Sequence, residues 1–407
     1  MRRIAWILLL IFAFAIPWEY SLELGEPLGN IARVVGLLLL LVAIPAVLQA
    51  GRIRTPGVMQ WLVLTLYLWF CCTYFWTIEP LVTLARMRGY FQEMMIVWLV
   101  WEFAESAGDL RALMRAYVAG AWVLAVLTLA SFVSADAMSA EQIRFAAAGQ
   151  DPNDVARLLN MGFPLAALLV TSERRWPWRL MAAGYLPLGL VAVLLTASRG
   201  GFLAAVVALT GSGVLLAYGH PKRILVGALA LPPLFALLWW IIPSGNFERL
   251  ATISEQLQGG GLNQRWNIWT AGWHAFVKAP VFGTGAGSFV SAAGMSPIDT
   301  AHNTALSIAV SGGLVALFLA TAIVAVAIWS ITQTKGQLRW AMALTFVIWG
   351  ITSLAATVEE NRSTWLLLAM IALAGRLGVE EPEGLDECFP ASNSDSWPVS
   401  NYAVRGQ

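Results

Sequence analysis

Long apolar runs separated by short polar stretches make up most of this chain, and their lengths predict its elements. A bilayer core about 30 Å thick needs roughly 20 apolar residues per helix, within a range of about 17–25. With that requirement the sequence predicts twelve membrane-spanning helices, near residues 4–18, 31–50, 57–78, 90–105, 112–134, 155–172, 177–197, 201–218, 223–243, 303–331, 338–356 and 361–378. The predicted fold class is therefore all-α, a polytopic membrane protein.

The first apolar run allows a second interpretation. Met1-Arg2-Arg3 precedes it, and the small-residue sequence Ala13-Phe14-Ala15 lies near its end. A basic start, an apolar stretch and small residues are also the features of a cleavable signal peptide. The sequence leaves open whether this segment is retained, and cleavage would not change the topology of the other spans.

The charges between the runs predict the orientation. The positive-inside rule places connections rich in Lys and Arg in the cytoplasm. Here one set of alternating connections and termini is basic: Arg2 and Arg3, Arg52 and Arg54, Arg111 and Arg115, Arg174, Arg175 and Arg179, Lys222 and Arg223, Lys335 and Arg339, and Arg376. Both termini are therefore predicted to be cytoplasmic. The acidic first loop, with Glu19, Glu23 and Glu26, is predicted to face the outer side.

Two hydrophilic segments stand apart from the short connections. Residues 244–302 form a long outer loop that is too rich in Trp, Phe and Ile to be wholly disordered, and long loops are often functional. From residue 379 the chain becomes acidic and polar, which is typical of disordered segments. The sequence thus predicts a transmembrane domain over residues 1–378 with the loop 244–302 inserted, and a cytoplasmic disordered tail over residues 379–407.

Composition supports the membrane interpretation and excludes several other classes. Hydrophobic residues make up 58% of the chain and charged residues 12%, whereas soluble domains are usually about 45–50% apolar and about 25% charged. The net charge of +1 gives no electrostatic reason to expect nucleic-acid binding. Cys71, Cys72 and Cys388 form neither a disulfide framework nor a metal-binding spacing.

Arg199 is the first candidate for chemistry on the outer side. Charged residues beside membrane spans are costly and are functional candidates by default. Arg199 belongs to the sequence Thr196-Ala197-Ser198-Arg199-Gly200-Gly201 between two predicted spans. A guanidinium pairs with phosphate in bidentate geometry, and the glycines let a ligand approach the backbone. The alternative is that Arg199 only extends to the lipid headgroups.

Arg265 is the second candidate, because it begins a predicted helix in the long loop. An apolar stripe at helical spacing predicts that this helix lies along the membrane surface; its members are Trp266, Trp269, Trp273, Phe276 and Val277. Arg265 would then lie at the helix N-terminus, where free N–H groups and the helix dipole attract anions. A plain interfacial arginine is the alternative.

His302 is the third candidate. It precedes Asn303 at the start of the predicted span 303–331. A neutral imidazole at this position can take a proton near pH 7 and so act as a general base. The alternative is an ordinary interfacial histidine. The two remaining histidines, His220 and His274, are given no role.

Three other features of the outer side are interpreted as structural. The sequence Gly283-Thr284-Gly285-Ala286-Gly287 predicts a flexible turn rather than a nucleotide loop, because no strand precedes it. Arg86 and Arg88 are interpreted as anchors of the span that follows them. Glu359 and Glu360 are interpreted as solvated, since neighbours in sequence do not share a helix face.

Together these residues resemble a known pattern. A polytopic chain with Ser-Arg-Gly at a span end, a long outer loop containing Arg-x-x-x-Trp, and His-Asn at the end of that loop is similar to the O-antigen ligase family, which includes related O-antigen and exopolysaccharide polymerases. The matching stretches are Asp151-Pro152-Asn153, Ser198-Arg199-Gly200, Arg265 to Trp269, Pro280-Val281-Phe282-Gly283-Thr284-Gly285, His302-Asn303 and Gly312-Gly313. Where this chain has Ser311, family members often carry a glutamate.

The resemblance implies a reaction and its partners. Residues 1–378 would be a glycosyltransferase-like domain that transfers a glycan from an undecaprenyl-pyrophosphate-linked donor to an acceptor sugar hydroxyl at the periplasmic face of the bacterial inner membrane. The favoured acceptor is lipid A-core, as in O-antigen ligation; the alternative is a polymerase that extends another lipid-linked glycan. The enzyme would be inverting and metal-independent and would need no cofactor. Its partners would be these lipid substrates and the surrounding membrane lipids, with no nucleic acid.

The resemblance also implies roles for individual residues. Arg199 and Arg265 would bind the pyrophosphate, and His302 would be the catalytic base. Three neighbours would support them: Ser198, Trp269 and Asn303.

A different class of function also fits the number of spans. A secondary transporter, or a flippase for lipid-linked sugars, would have a similar topology. Transporters usually place their polar residues near the middle of the membrane, at broken helices. Here Arg199, Arg265 and His302 are all predicted at one face, which favours chemistry at the membrane surface.

Overall fold

The computed structural model describes residues 1–25, 29–135, 144–217, 242–251, 265–296 and 300–389, together with residues 236, 239 and 240. Within these ranges the fold is all-α, as predicted. The helices are α1 (Arg2–Ala15), α2 (Ile31–Ala50), α3 (Val58–Cys72), α4 (Pro80–Phe103), α5 (Ala107–Ser134), α6 (Pro152–Ser172), α7 (Trp176–Leu195), α8 (Arg199–Ala217), α9 (Ser244–Ala251), α10 (Arg265–Lys278), α11 (Phe289–Ala292), α12 (Thr304–Gln333), α13 (Gly336–Ser353), α14 (Arg362–Glu380) and α15 (Pro382–Cys388). Two short 3₁₀ helices, Ile16–Ser21 and Thr73–Phe75, extend α1 and α3.

Most of the predicted spans correspond to helices of suitable length and composition. In the described part of the chain nine helices are long and apolar enough to cross a membrane: α1 and α3 with their 3₁₀ extensions, α2, α5, α6, α7, α8, α12 and α14. The predicted spans 90–105 and 338–356 fall on α4 and α13, which are helical but are not among these nine, and α4 carries Arg86, Arg88 and Glu93. The predicted span 223–243 lies almost wholly outside the described residues, so the total of twelve stays a prediction.

Two helices form the centre of the bundle. Almost all of α6 and α14 is buried, whereas the other candidate spans bury less than half of their residues. The two are joined where the buried Arg157 Nη1 on α6 donates a hydrogen bond to Ser363 Oγ on α14, at 2.9 Å. Around them, α6 packs against α5, α7, α8 and α13, and α14 packs against α4, α5 and α12. This hydrogen bond pairs two polar side chains that lie inside the bundle, away from water.

The helix ends define two faces. At one face Arg2 Nη1 lies 2.7 Å from Glu102 Oε1, and Arg376 Nη1 donates to the Trp101 carbonyl at 3.1 Å. The start of α1 and the end of α14 therefore lie together, and we call this the terminal face. The opposite face carries the N-termini of α6, α8, α12 and α14, and we call it the loop face.

The C-terminal region is more ordered than predicted. The helix α15 lies inside the segment predicted to be a disordered tail from residue 379, and Leu385 and Phe389 are buried. Phe389 packs beside α5, with the Arg111 guanidinium carbon 5.2 Å from its ring centre. The predicted boundary is therefore too early, because this short helix has an apolar side that packs on the bundle. Residues 390–407 lie outside the described part.

A packed loop replaces the predicted flexible turn after α10. The helix α12 breaks at Gly313, where φ is +69°, and the loop fills the break with backbone hydrogen bonds. Leu314 N–H donates to the Pro280 carbonyl at 2.8 Å, and Thr284 N–H donates to the Val310 carbonyl at 2.9 Å. A Cβ atom on Gly283 would lie 2.5 Å from the Ser311 carbonyl oxygen. The turn is present, but it is packed tightly, since irregular backbone within a bundle must pair its polar groups.

Candidate functional site

The site begins at the tight turn between α7 and α8. Ala197 adopts a φ of +46°, which non-glycine residues rarely adopt. Guanidinium groups surround this turn. Arg144 Nε donates to the Thr196 carbonyl at 3.3 Å, and Arg249 Nε donates to the Ala197 carbonyl at 3.3 Å. In return, Arg199 Nε donates to the Arg249 carbonyl at 3.1 Å. Arginines from three separate segments thus meet at one turn.

The start of α6 holds this turn in place. Ser198 Oγ donates to Asn153 Oδ1 at 2.8 Å, and Arg144 Nη2 donates to the same oxygen at 2.9 Å. Asp151 caps α6 by accepting the Asn153 N–H at 2.7 Å. Ser198 is buried, and its Oγ also accepts the Gly201 N–H at 3.1 Å. Its contacts therefore position Arg199 at the first residue of α8.

The electrostatics join Arg265 to the same group. Burial lowers the pKa of Arg144, the Asp151 carboxylate opposes this shift, and Arg249, Arg199 and Arg265 lower the pKa further. Burial also lowers the pKa of Arg265, again opposed by Asp151. We call these four residues the arginine cluster: Arg144, Arg199, Arg249 and Arg265. Several positive charges that act on one another in this way favour the binding of an anion near them.

The N-terminus of α8 adds to this positive field. The helix begins at Arg199 and continues with Gly200 and Gly201, so its first turn carries backbone N–H groups without bulky side chains. The helix dipole favours negative charge at such an end. A Cβ atom on Gly201 would lie 2.4 Å from Ala156 Cβ, so glycine is what lets α8 approach α6 here.

The helix α10 starts at Arg265, as predicted, but its apolar residues are divided between two sides. Ile268 and Ala275 are buried, and Trp269 packs in the same cluster. Trp266 and Trp273 are 62% and 56% exposed. The predicted single stripe is thus wrong in part: one side packs on the protein, and the other remains available to the lipid interface.

The helix α10 also connects the arginine cluster to His302. Trp269, one turn after Arg265, donates its indole N–H to the Ala301 carbonyl at 3.2 Å. His302 follows with a φ of +47°, and its Nδ1 lies 3.3 Å from Thr300 Oγ1. Asn303 then caps α12, since its Oδ1 accepts the Leu306 N–H at 2.9 Å. Trp269 and Asn303 therefore fix the backbone on both sides of His302.

The segment between α13 and α14 packs against the first turn of α12. Val358 N–H donates to Thr304 Oγ1 at 3.0 Å, and Thr304 Oγ1 donates to the Ala356 carbonyl at 2.8 Å. Glu359 is only 5% exposed, so the interpretation of this carboxylate as solvated is wrong. Burial raises the pKa of Glu359 to about 8; the Glu360 carboxylate adds to this shift, and the Ser307 hydroxyl opposes it.

An apolar cavity of about 450 Å³ starts beside Glu359 and Thr304. It continues between α3, α12, α13 and α14, where Phe70, Ile308 and Trp349 line it. The cavity therefore leads from the loop face into the bundle and presents a mostly apolar wall.

Sequence reasoning missed two members of the cluster. Arg144 and Arg249 lie on connections that the predicted spans place at the outer side, as Arg199 and Arg265 do, but no motif around them marks them as site residues. The predicted side of the membrane was therefore the usable signal for all four arginines. Their separation in sequence gave no indication that they lie together. In the described part of the chain, no group of three or more His, Cys, Asp and Glu side chains is placed to hold a metal ion.

A known family model matches part of the chain. The family model described as O-antigen ligase (Wzy_C) matches residues 184–321. This range runs from α7 through the first half of α12. It contains the predicted site residues Ser198, Arg199, Arg265, Trp269, His302 and Asn303. None of the curated proteins matches the chain.

Proposed function

We propose that this chain, a member of the O-antigen ligase family, transfers a glycan to a sugar hydroxyl of lipid A-core. The donor would be a glycan linked to undecaprenyl pyrophosphate. The family match supports ligase- or polymerase-type transfer in general. We propose in addition the specific donor, the specific acceptor and the roles of the individual residues.

The arginine cluster is the observation that carries the proposal. Transfer from this donor releases a lipid pyrophosphate, so negative charge develops on the leaving group as the glycosidic bond breaks. Preorganised cations aimed at that charge stabilise the transition state. Arg199 and Arg265 would hold the pyrophosphate with bidentate hydrogen bonds, and Arg144 and Arg249 would position them and add positive charge. This arrangement needs no metal ion.

His302 would act as the general base. The acceptor hydroxyl must lose a proton as its oxygen attacks the anomeric carbon, and a positioned imidazole can accept it. The contacts of Trp269 and Asn303 hold the backbone of His302 in its uncommon conformation. Direct attack opposite the leaving pyrophosphate would invert the anomeric centre.

The apolar cavity beside the first turn of α12 would take part of the isoprenoid chain of the donor. A long hydrocarbon chain is best buried against apolar side chains, and the cavity of about 450 Å³ opens at the same face as His302. The loop face would then be periplasmic, because the terminal face carries the basic connections expected in the cytoplasm. The protein would lie in the inner membrane.

The proposal is tested with the purified full chain, lipid-linked glycan and lipid A-core in a transfer assay. His302→Ala should lower the rate about 10²–10⁴-fold, the usual contribution of general acid–base catalysis. His274→Ala is the matched control, because His274 is exposed on α10 in the same region. Full activity of His302→Ala, with the control also active, would remove the proposed base.

The ligase and the polymerase are separated by the glycans of a deletion strain. Loss of glycan attachment to lipid A-core, with long lipid-linked chains still made, supports the ligase. Shortened chains that are still attached would replace it by the polymerase. Unchanged glycans in both respects would contradict both.

A further inference from the structure

A second cavity opens at the loop face, and its lining is polar. It has a volume of about 220 Å³ and lies between the 3₁₀ helix Ile16–Ser21, the segment before α6, the first turns of α6 and the start of α14. Its polar lining includes Tyr20, Gln150, Asp151, Asp154, Arg157 and Asn361. We call it the polar cavity.

The walls of the polar cavity are held by contacts between separate parts of the chain. Arg157 is 3% exposed. Its Nη2 lies 3.3 Å from Asp154 Oδ1, and its Nη1 donates to Ser363 Oγ at 2.9 Å. A Cβ atom on Gly149 would lie 2.3 Å from the Tyr20 carbonyl oxygen, so the segment before α6 lies directly on the 3₁₀ helix. The walls of the cavity are therefore held by contacts within the protein.

Hydrogen-bond donors and acceptors both line the polar cavity. Gln150 Nε2 donates to Ser21 Oγ at 3.2 Å, whereas Gln150 Oε1 is buried without a hydrogen-bond partner among the described residues. The Asp154 side chain is 44% exposed and offers carboxylate oxygens, and Tyr20 is 40% exposed and offers an aromatic ring. Carboxylates, a guanidinium and amides together suit a neutral molecule whose hydroxyl groups both donate and accept. A simple anion or cation would meet charges of its own sign.

The polar cavity is adjacent to the arginine cluster. Asp151 lines the cavity and also accepts the Asn153 N–H, while Asn153 Oδ1 accepts a hydrogen bond from Arg144. The charge of Asp151 acts on Arg265 as well. A molecule that placed a pyrophosphate at the arginines would therefore have its next chemical group beside Asp151.

We propose that the polar cavity binds the sugar ring bonded directly to the pyrophosphate of the donor. This inference rests on the proposed function and adds to it a specificity site for the first sugar. Asp154 and Gln150 would accept hydrogen bonds from the sugar hydroxyls, and Tyr20 would pack against the ring. The enzyme would then bind the glycan-bearing lipid more tightly than the lipid pyrophosphate that is left after transfer. This difference in affinity would favour release of the lipid pyrophosphate product.

Binding to two probes tests the inference. The probes are sugar-free undecaprenyl pyrophosphate and the lipid-linked glycan extracted from the source cells, each titrated into the purified full chain. The glycan-bearing probe should bind at least tenfold more tightly. Asp154→Asn and Tyr20→Ala should each weaken that binding about tenfold, which corresponds to about 1.4 kcal/mol. Their binding of the sugar-free probe should stay within about twofold, which also shows that the variants are folded.

Glu23→Gln is the matched control, because Glu23 is an exposed carboxylate beside the 3₁₀ helix but outside the cavity. It should bind both probes as the unchanged protein does. Equal affinity of the unchanged protein for the two probes would overturn the inference, as would variants that keep the full preference for the glycan-bearing probe. Failure of the unchanged protein to bind either probe would instead contradict the proposed function.

Discussion

Two groups of arginines, one at the terminal face and one in the arginine cluster, bring different parts of the chain together. At the terminal face Arg115 Nε donates to Glu173 Oε2 at 2.6 Å, and Arg2 pairs with Glu102 at 2.7 Å. The Arg376 guanidinium carbon also lies 4.8 Å from the ring centre of Trp101. In the arginine cluster at the loop face, Arg144 and Arg249 donate to carbonyls of one turn, Arg199 donates to the Arg249 carbonyl, and Arg144 also donates to Asn153.

The first set of contacts joins helices, and the second brings several positive charges around one turn. A carboxylate cancels the charge of the guanidinium it pairs with, and a buried pair becomes costly when one member is removed. We therefore interpret the ion pairs at the terminal face as structural, and the arginine cluster as the place where we propose that the pyrophosphate binds.

The largest expected effect is at the arginine cluster. Removing one group that stabilises transition-state charge costs about 10²–10³ in rate, so Arg199→Ala combined with Arg265→Ala should lower kcat/KM about 10⁴-fold. The melting temperature should change little, because neither side chain is deeply buried. Arg88→Ala, at an exposed arginine near the start of α4, is the control. Near-normal transfer by the double variant would show that the cluster does not bind the leaving group.

At the terminal face we expect a loss of stability without a loss of transfer activity. Arg115→Ala leaves Glu173, whose side chain is 2% exposed, without its charged partner. Breaking a buried pair in this way costs about 3–5 kcal/mol, so thermal unfolding in detergent should shift to lower temperature. The protein that remains folded should transfer glycan at an unchanged rate. If adding Glu173→Gln fails to restore any stability, the loss does not come from the orphaned carboxylate.

A smaller effect is expected for Arg144, which orients the turn at Thr196 as well as adding charge. Arg144→Ala should raise KM for the lipid-linked donor about tenfold, or about 1.4 kcal/mol, with less change in kcat. Arg144→Lys keeps the charge but loses the hydrogen-bond pattern to Thr196 and Asn153. Its KM should therefore lie between that of the unchanged protein and that of Arg144→Ala. Identical KM values for the lysine and alanine variants would mean that charge at this position contributes nothing.

The smallest effect concerns pH. The raised pKa of Glu359, about 8 against an ordinary 4.5, means that the folded protein holds this proton between those pH values and the unfolded chain does not. The stability from this group is therefore complete below pH 4.5 and falls as pH rises to about 8. Glu359→Gln should match the unchanged protein at pH 5 and melt about 2–4 °C higher at pH 9. A variant that melts lower at pH 9 would show that the ionised carboxylate stabilises the fold.

Particular residues show how far sequence reasoning could go. The start of α10 at Arg265 and the cap at Asp151 were predictable, because both depend on neighbours a few residues away. The grouping of Arg144 with Arg249 was not, since it depends on how α6, α8 and α9 come together. Burial of Glu359 was missed for the same reason: the first turn of α12, more than fifty residues earlier in the chain, covers it.

By itself, the sequence determined that this protein is an all-α membrane protein. It also determined that Arg199 and Arg265 lie at the same face, and which family the chain resembles. These properties follow from composition, from the period of apolar residues and from short motifs. Only the tertiary structure decided that Arg144, Arg199 and Arg249 meet at one turn and that the charge of Arg265 acts on Arg144. It also decided that Trp269 joins α10 to the segment before His302, and that a polar cavity lies beside Asp151. The reason is physical: periodicity specifies which side of a helix is apolar, whereas side-chain packing between helices specifies which polar groups meet.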